Sequence, residues 1–496
     1  MNRLFDRLFA AGAPDALALE AGVQRLSYAE LERETARYAG ALAALGARPG
    51  DRLAVQVEKS AANLILYLAS LRAGVVYLPL NTAYTLAELG YFIGDAEPAV
   101  IVCDPAARDG VAALAAGARV ETLDRDGEGT LTDLARAAPA RFETVARGPE
   151  DLAAICYTSG TTGRSKGAML THGALASNAE TLAGIWRFSG EDVLVNALPI
   201  YHVHGLFVAT HVAMMAGAAT ILQPKFDPAE VLAALPRATA FMGVPTFYTR
   251  LLAHPGLTAE VTRHMRLFVS GSAPLLAATH QAWEARTGQT ILERYGMTET
   301  GMNASNPYDG PRLAGSVGPP LPGVDLRVVA DGAGEAGQVE VRGPNVFAGY
   351  WRNPDKTAEA FTADGWFRTG DLGLIGEDGY LRLVGRGNDL IITGGLNVYP
   401  AEVEAAIDVL PGVIESAVIG LPHADLGEAV TVVVVAEAPL TEGDILSALS
   451  GQLARFKQPK RVLFTNALPR NAMGKITKAA LRREHASLYG AADKAV

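Results

Sequence analysis

Apolar and polar positions along this chain follow two periods, and the switches between them lay out the elements before any single residue is considered. Over residues 28–45 apolar side chains return at helical spacing behind Ser27, a residue type that caps helices, so a helix is predicted there. Residues 52–57, 75–80 and 99–104 are short continuous apolar runs of strand type, with a helix predicted over 61–72. Residues 152–156 give another buried strand and 171–186 another helix. Strands at 193–198, 218–222, 241–244, 267–270 and 291–293 continue the alternation, with helices such as 274–287 between them. This predicts an α/β fold of mostly parallel sheets flanked by helices. The later strands end in loops that look functional: 199–205 (PIYHVHG), 243–247 (GVPTF), 270–274 (SGSAP) and 294–300 (RYGMTET). Loops on one edge of a parallel sheet converge on one crevice.

Beyond Asp309 the pattern turns to short β-like runs, 338–343 and 366–374 among them. After Arg386 a compact mixed segment follows, with strands at 390–393, 416–421, 431–436 and 461–465 and helices starting at Pro400 and Glu442. A boundary near Arg386 divides the chain into domains 1–385 and 386–496. Two or more cores are expected in any case, because 496 residues exceed what one core supports. A net charge of -10 argues against a nucleic-acid backbone or an anionic membrane as partner, while leaving local binding of small anions open. Cys103 and Cys156 both end apolar runs and read as buried packing residues, which suits a reducing cytoplasm. The opening MNRLFDRLFAAGAPD has neither a long apolar stretch nor a cleavage pattern, and no segment approaches the length of a membrane span.

Between the strand at 152–156 and the helix at 171–186 lies YTSGTTGRSKG, residues 157–167. Ser159, Thr161, Thr162 and Lys166 are phosphate-sized donors, and the glycines Gly160 and Gly163 let backbone N–H groups approach a polyanion. It is not a Walker A loop, because Lys166 is followed by Gly167 instead of Ser or Thr. The string resembles the phosphate-loop signature of the adenylate-forming enzymes: acyl-CoA synthetases, non-ribosomal peptide adenylation domains and beetle luciferases.

That resemblance implies a β-barrel-like subdomain in the large N-terminal domain and a small mobile α+β C-terminal domain. It implies ATP and CoA as co-substrates and Mg2+ as cofactor. Thr158 belongs to the phosphate loop, Tyr295 stacks on adenine, Thr298 contacts the α-phosphate and Glu299 binds the metal. Ser272, Ala273, Glu293, Arg294, Gly296 and Met297 complete the nucleotide set, and Asp371 (of TGD) and Arg386 grip the ribose. Lys475, in LPRNAMGK, is the catalytic lysine of the first half-reaction. Thr393, Gly394 and Gly395 line the pantetheine tunnel. The domain hinge falls at Asn388, where the family commonly carries Asp or Lys. A protein acetyltransferase acting on Lys475 is a further partner the resemblance raises.

The likeness tightens to the malonyl-CoA synthetases through LPLNTAYT at Leu78, LPIYHVHGLF at Leu198, MGVPTFYTRLL at Met242, RLFVSGSAPL at Arg266 and MNASNPYDG at Met302. Malonate, with methylmalonate as a second acid, is then the expected substrate. Its far carboxylate needs a cation in a small pocket, and Arg250, one helical turn after Thr246, suits a bidentate grip. His202, Ser270, Gly271 and Met302 are expected to line that pocket, with His204 structural. Three other readings compete: an aryl or medium-chain acyl-CoA ligase, a nucleotide-responsive binding protein without turnover, and a stand-alone adenylation domain serving a carrier protein.

Overall fold

Ser27 caps the helix Tyr28–Ala44 as expected. Its hydroxyl accepts from the Glu30 N–H while the Glu30 carboxylate accepts from the Ser27 N–H, so two orphan donors of the first turn are satisfied. The helix Ala61–Ala73 starts on Ser60 and stops at Gly74, whose φ of 69° is the left-handed turn that glycine adopts without strain. The structure is a computed structural model that describes residues 1–158, 165–330, 336–393, 396–423, 426–437, 439–450, 452–453, 455–471 and 474–489.

By packing, the chain divides into two compact units: Met1–Leu326 with Val341–Phe367, and Arg327–Glu340 with Arg368–Val496. The first unit holds two sheets. In the six-stranded sheet, Arg119–Thr122, Val100–Cys103, Arg52–Gln56, Val76–Pro79 and Leu152–Thr158 lie side by side in parallel, and Lys166–Thr171 closes the edge antiparallel to Leu152–Thr158. In the eight-stranded sheet a parallel centre of Ile291–Met297, Leu267–Ser270, Ala240–Gly243, Val193–Asn196, Ala219–Leu222 and Leu17–Ala21 is flanked by the antiparallel strands Gly301–Ser305 and Gln24–Ser27. Leu53, Val55 and Val102 of one sheet share a buried cluster with Leu194, Met242 and Val269 of the other. Each such side chain contributes about 1.5–3 kcal/mol when fully buried. Tyr67 lies inside this core with its hydroxyl 2.7 Å from His211 Nε2.

The structure differs from the hydrophobic pattern in two places. Residues 166–171 form a strand that pairs antiparallel with Leu152–Thr158, and Thr171 caps the helix His172–Ile185 by accepting from the Ala174 N–H. Lys-Gly-Ala-Met carries no strand alternation, and pairing alone makes this segment extended. From His204 the supposed loop is already helical: His204–Thr210 is wound as a π-helix that runs into His211–Met215, a local widening that tends to occur at functional sites.

Most of a four-stranded sheet, Asp325–Val329, Gly337–Arg342, Phe367–Ile375 and Leu381–Arg386, falls in the second unit. That unit also contains the sheet Leu396–Val398, Ile391–Thr393, Gly427–Ala436 and Val413–His423, to which Arg461–Phe464 adds by pairing with Gly427–Ala436. Ile391, Val403, Ile407, Val418 and Val432 form its core. Cys103 and Cys156 are buried free thiols, pushed up to about 11 and about 12 chiefly by burial. Among the described residues no helix is long and apolar enough to cross a membrane.

Candidate active site

Three functional loops of the eight-stranded sheet leave it at one level, because the register pairs Gly243 with Ser270 and Ser270 with Glu293. Ser272 in the middle loop has φ 71°, a left-handed conformation costing a non-glycine residue about 1–3 kcal/mol and found where neighbours impose it. Its Oγ lies 3.2 Å from Nδ1 of the buried His204, and the His204 N–H donates to His202 Nδ1 at 3.3 Å. The histidine loop is thereby tied to the Ser270–Pro274 loop.

Arg294, expected in the nucleotide set, is sealed in at this edge. Its guanidinium is buried, and its Nε and Nη2 have no hydrogen-bond partner among the described residues. A Cβ on Gly271 would come within 2.4 Å of Arg294 Cζ, so the guanidinium fills the space that the glycine leaves. Burial lowers Arg294 to about 9, with only a partial offset from the Tyr248 side, which is the mark of a cation removed from water without an anion beside it. Glu293 next to it is also buried and is pushed up to about 8 by burial, against hydrogen bonds from the Gly315 and Leu275 N–H groups. Ser270 is fully buried with no partner for its hydroxyl among the described residues, and Met302 and Tyr295 are buried too. Arg250 sits exposed on the helix Pro245–Ala253.

A second cluster lies at the ends of the paired strands Leu152–Thr158 and Lys166–Thr171. The Lys166 ammonium lies 4.5 Å from the ring centroid of Tyr350, and the Tyr350 hydroxyl donates to Glu299 Oε1 at 3.1 Å. Thr158 Oγ1 donates to the same carboxylate oxygen at 3.4 Å. The stem of the loop is held by Tyr91, whose hydroxyl donates to the Ser165 carbonyl at 2.7 Å, and by Tyr157, which donates to Asp95 at 2.6 Å. Ser159, Gly160, Thr161, Thr162 and Gly163 lie outside the described residues. A carboxylate with hydroxyls around it is a hard oxygen donor set, and it fits a magnesium ion that takes one or two protein oxygens and leaves its other positions to water and phosphate.

In the second unit Arg386 Nε is 3.2 Å from Asp371 Oδ1, and the Asp371 N–H donates to Thr369 Oγ1 at 3.1 Å across Gly370, whose φ is 75°. The Lys475 N–H donates to Asn471 Oδ1 at 3.0 Å, its carbonyl accepts from the Asn471 N–H, and Arg470 Nη1 donates to the Gly474 carbonyl at 2.7 Å. Thr393 is buried, Asn388 falls in the short turn Gly387–Asp389, and Gly394 and Gly395 lie outside the described residues.

The AMP-binding enzyme family matches residues 7–351, and the AMP-binding enzyme C-terminal domain matches residues 402–475. The chain belongs to the AMP-binding enzymes. As an AMP-binding enzyme it is 59% identical to ATP-bound MatB from Rhodopseudomonas palustris, with a TM-score of 0.97 over 99% of this chain and 100% of that one. It is 34% identical to a malonate–CoA ligase of Arabidopsis thaliana over 91% of this chain and 80% of the relative. It is also 38% identical to a feruloyl-CoA synthase of an Amycolatopsis species, over 95% and 96%.

Within this AMP-binding enzyme the first unit gathers the expected residues into two groups, Thr158, Lys166 and Glu299 at one and Ser270, Gly271, Ser272, Glu293 and Arg294 at the other. Tyr350 was not among the expected site residues. Its signal in the sequence is only the Gly-Tyr-Trp of residues 349–351, which carries no polar periodicity.

Proposed function

We propose that this AMP-binding enzyme is an ATP-dependent malonate–CoA ligase that also accepts methylmalonate and works in the cytoplasm. The observation that carries the choice of acid is the buried Arg294 guanidinium with two nitrogens unpartnered among the described residues. A substrate that brings its own second carboxylate into the cleft would supply the missing anion, and a guanidinium accepts a carboxylate through two parallel hydrogen bonds. Arg294 thus moves from the nucleotide set to the acyl pocket, with the exposed Arg250 as a second cation. An aromatic or medium-chain acid, as in the feruloyl-CoA synthase relative, would leave a buried charge without a counterpart.

In the first half-reaction one malonate carboxylate oxygen attacks the α-phosphorus of ATP, the bond to the bridging oxygen breaks, and diphosphate leaves. Lys166 and the hydroxyls of the phosphate loop receive the departing charge, Thr298 contacts the α-phosphate, and Lys475 bridges carboxylate and phosphate as charge builds. Glu299 would hold Mg2+, which when bound neutralises phosphate charge. Tyr295 stacks on adenine, and Asp371 and Arg386 hold the ribose. The smaller domain then turns about Asn388 and brings Thr393, Gly394 and Gly395 to the pantetheine arm. The CoA sulfur attacks the malonyl carbonyl, the thiol proton goes to solvent, and the acyl–phosphate bond breaks to give malonyl-CoA and AMP. The acetyltransferase raised as a partner for Lys475 is not supported.

The test is AMP and diphosphate release across short mono- and dicarboxylates and ferulate, each with CoA. Malonate is expected to give the highest kcat/KM, with methylmalonate next. A higher value for a monocarboxylate or for ferulate would remove the diacid.

A further inference from the structure

The segment 347–351 is bonded to both halves of the phosphate end. The Phe347 N–H donates to the Glu299 carbonyl at 2.7 Å, the Ala348 N–H to the Met169 carbonyl at 2.9 Å, and the Trp351 N–H to the Gly167 carbonyl at 2.7 Å. In the other direction the Met169 N–H donates to the Gly349 carbonyl at 3.0 Å. The backbone therefore ties the strand that carries Lys166 to the turn that carries Glu299. Tyr350 stands in the middle of this splice. It is buried, its ring is fixed against Phe347 at 4.9 Å and 73°, and its N–H donates to Thr357 Oγ1 at 2.9 Å. Gly349 makes the approach possible: at φ 122°, a Cβ there would be 2.6 Å from Thr357 Cγ2.

From this fixed position one neutral side chain serves two opposite charges, the ring face taking the Lys166 ammonium and the hydroxyl the Glu299 carboxylate. We propose that Tyr350 is a positioning residue for the nucleotide and its metal, holding Lys166 and Glu299 in place without neutralising either. The inference rests on the reading of Lys166 as a phosphate ligand and Glu299 as a metal ligand. Direct pairing of the two charges would have to be broken before a phosphate could take the lysine and a cation the carboxylate. A cation–π contact is worth about 0.5–2 kcal/mol, enough to orient the ammonium and weak enough to yield to a triphosphate.

The experiment is equilibrium binding of ATP by calorimetry, with no carboxylic acid present, with and without Mg2+, for the parent, Tyr350→Phe and Tyr350→Leu. Tyr350→Phe keeps the ring and should bind metal-free ATP as the parent does, while the tightening produced by Mg2+ shrinks about fivefold to tenfold. Tyr350→Leu should in addition lose about tenfold in metal-free ATP affinity. Both variants binding as the parent does in both conditions would overturn the inference. So would equal losses in both conditions for Tyr350→Phe together with a lowered Tm, since that is the signature of a packing role. If Tyr350→Leu fails to fold, Tyr350→Phe decides alone. The acid does not enter this measurement, so a failure of the malonate assignment leaves it standing. A parent whose ATP affinity ignores Mg2+ would instead overturn the metal role of Glu299 and the carboxylate half of this inference with it.

Discussion

Lys166 and Arg294 are both cations at loop ends of the first unit, yet the protein treats them in opposite ways. Lys166 is half-buried, lies over an aromatic ring, and is part of a linked set with Tyr350, Glu299 and Thr158. Arg294 is taken fully out of water over a glycine and left with two nitrogens unpartnered among the described residues. At the Lys166 cluster the ring and hydroxyl of Tyr350 give the ammonium and the carboxylate a shared neutral neighbour. At Arg294 a buried charge carries a desolvation cost that, on the function proposed above, the second carboxylate of the acid offsets.

The comparison breaks most easily at Arg294. Arg294→Met removes the uncompensated charge with little change in volume, so malonate KM should rise about a hundredfold, the loss expected for one partner of a buried charge pair. The same variant should gain a few degrees in Tm, because it removes the desolvation cost of a buried charge whose Nε and Nη2 have no partner among the described residues. A fall in Tm with malonate KM unchanged would mean that the guanidinium belongs to the structure and not to the pocket. Arg250→Ala sharpens the contrast between buried and exposed cations: malonate KM should rise about tenfold with Tm unmoved, since an exposed charge contributes less and is screened. An effect on malonate equal to that of Arg294→Met would show that burial is not what separates them.

The smallest effect concerns Glu293, whose folded-state value of about 8 stands above its ordinary 4.5. Between those values the folded chain keeps a proton that the unfolded chain releases, so this group's contribution to stability falls as pH rises through that window. The slope is at most about 1.4 kcal/mol per pH unit. Glu293→Gln cannot titrate, and its Tm relative to the parent should climb between about pH 5 and about pH 8. A constant difference across that range would place the Glu293 proton elsewhere. Asp408, pushed up to about 7 by burial, acts in the same direction in both chains and cancels in the comparison.

Many of the strands and helices could be read in advance because they rest on local signals. Ser27 caps its helix as its residue type implied, and the apolar runs at 193, 241, 267 and 291 are neighbours in one sheet with their loops on one edge. What stayed hidden depends on distant pairing and on burial. The strand Lys166–Thr171 exists because it pairs with Leu152–Thr158 on one side and is bridged at Ala168 to Tyr350 on the other, and no property of its own residues announces that. Arg294 is expected only as a member of the nucleotide set; its burial stayed hidden, because arginines are mostly exposed and the space it fills is left by a glycine distant in the chain, Gly271.

The bare backbone at Gly271 also couples two positions far apart in the chain. With Arg294 where it lies, a Cβ at 271 would come within 2.4 Å of its Cζ, so a side chain there is accommodated only if the guanidinium swings aside. A change at 271 is therefore read out at 294.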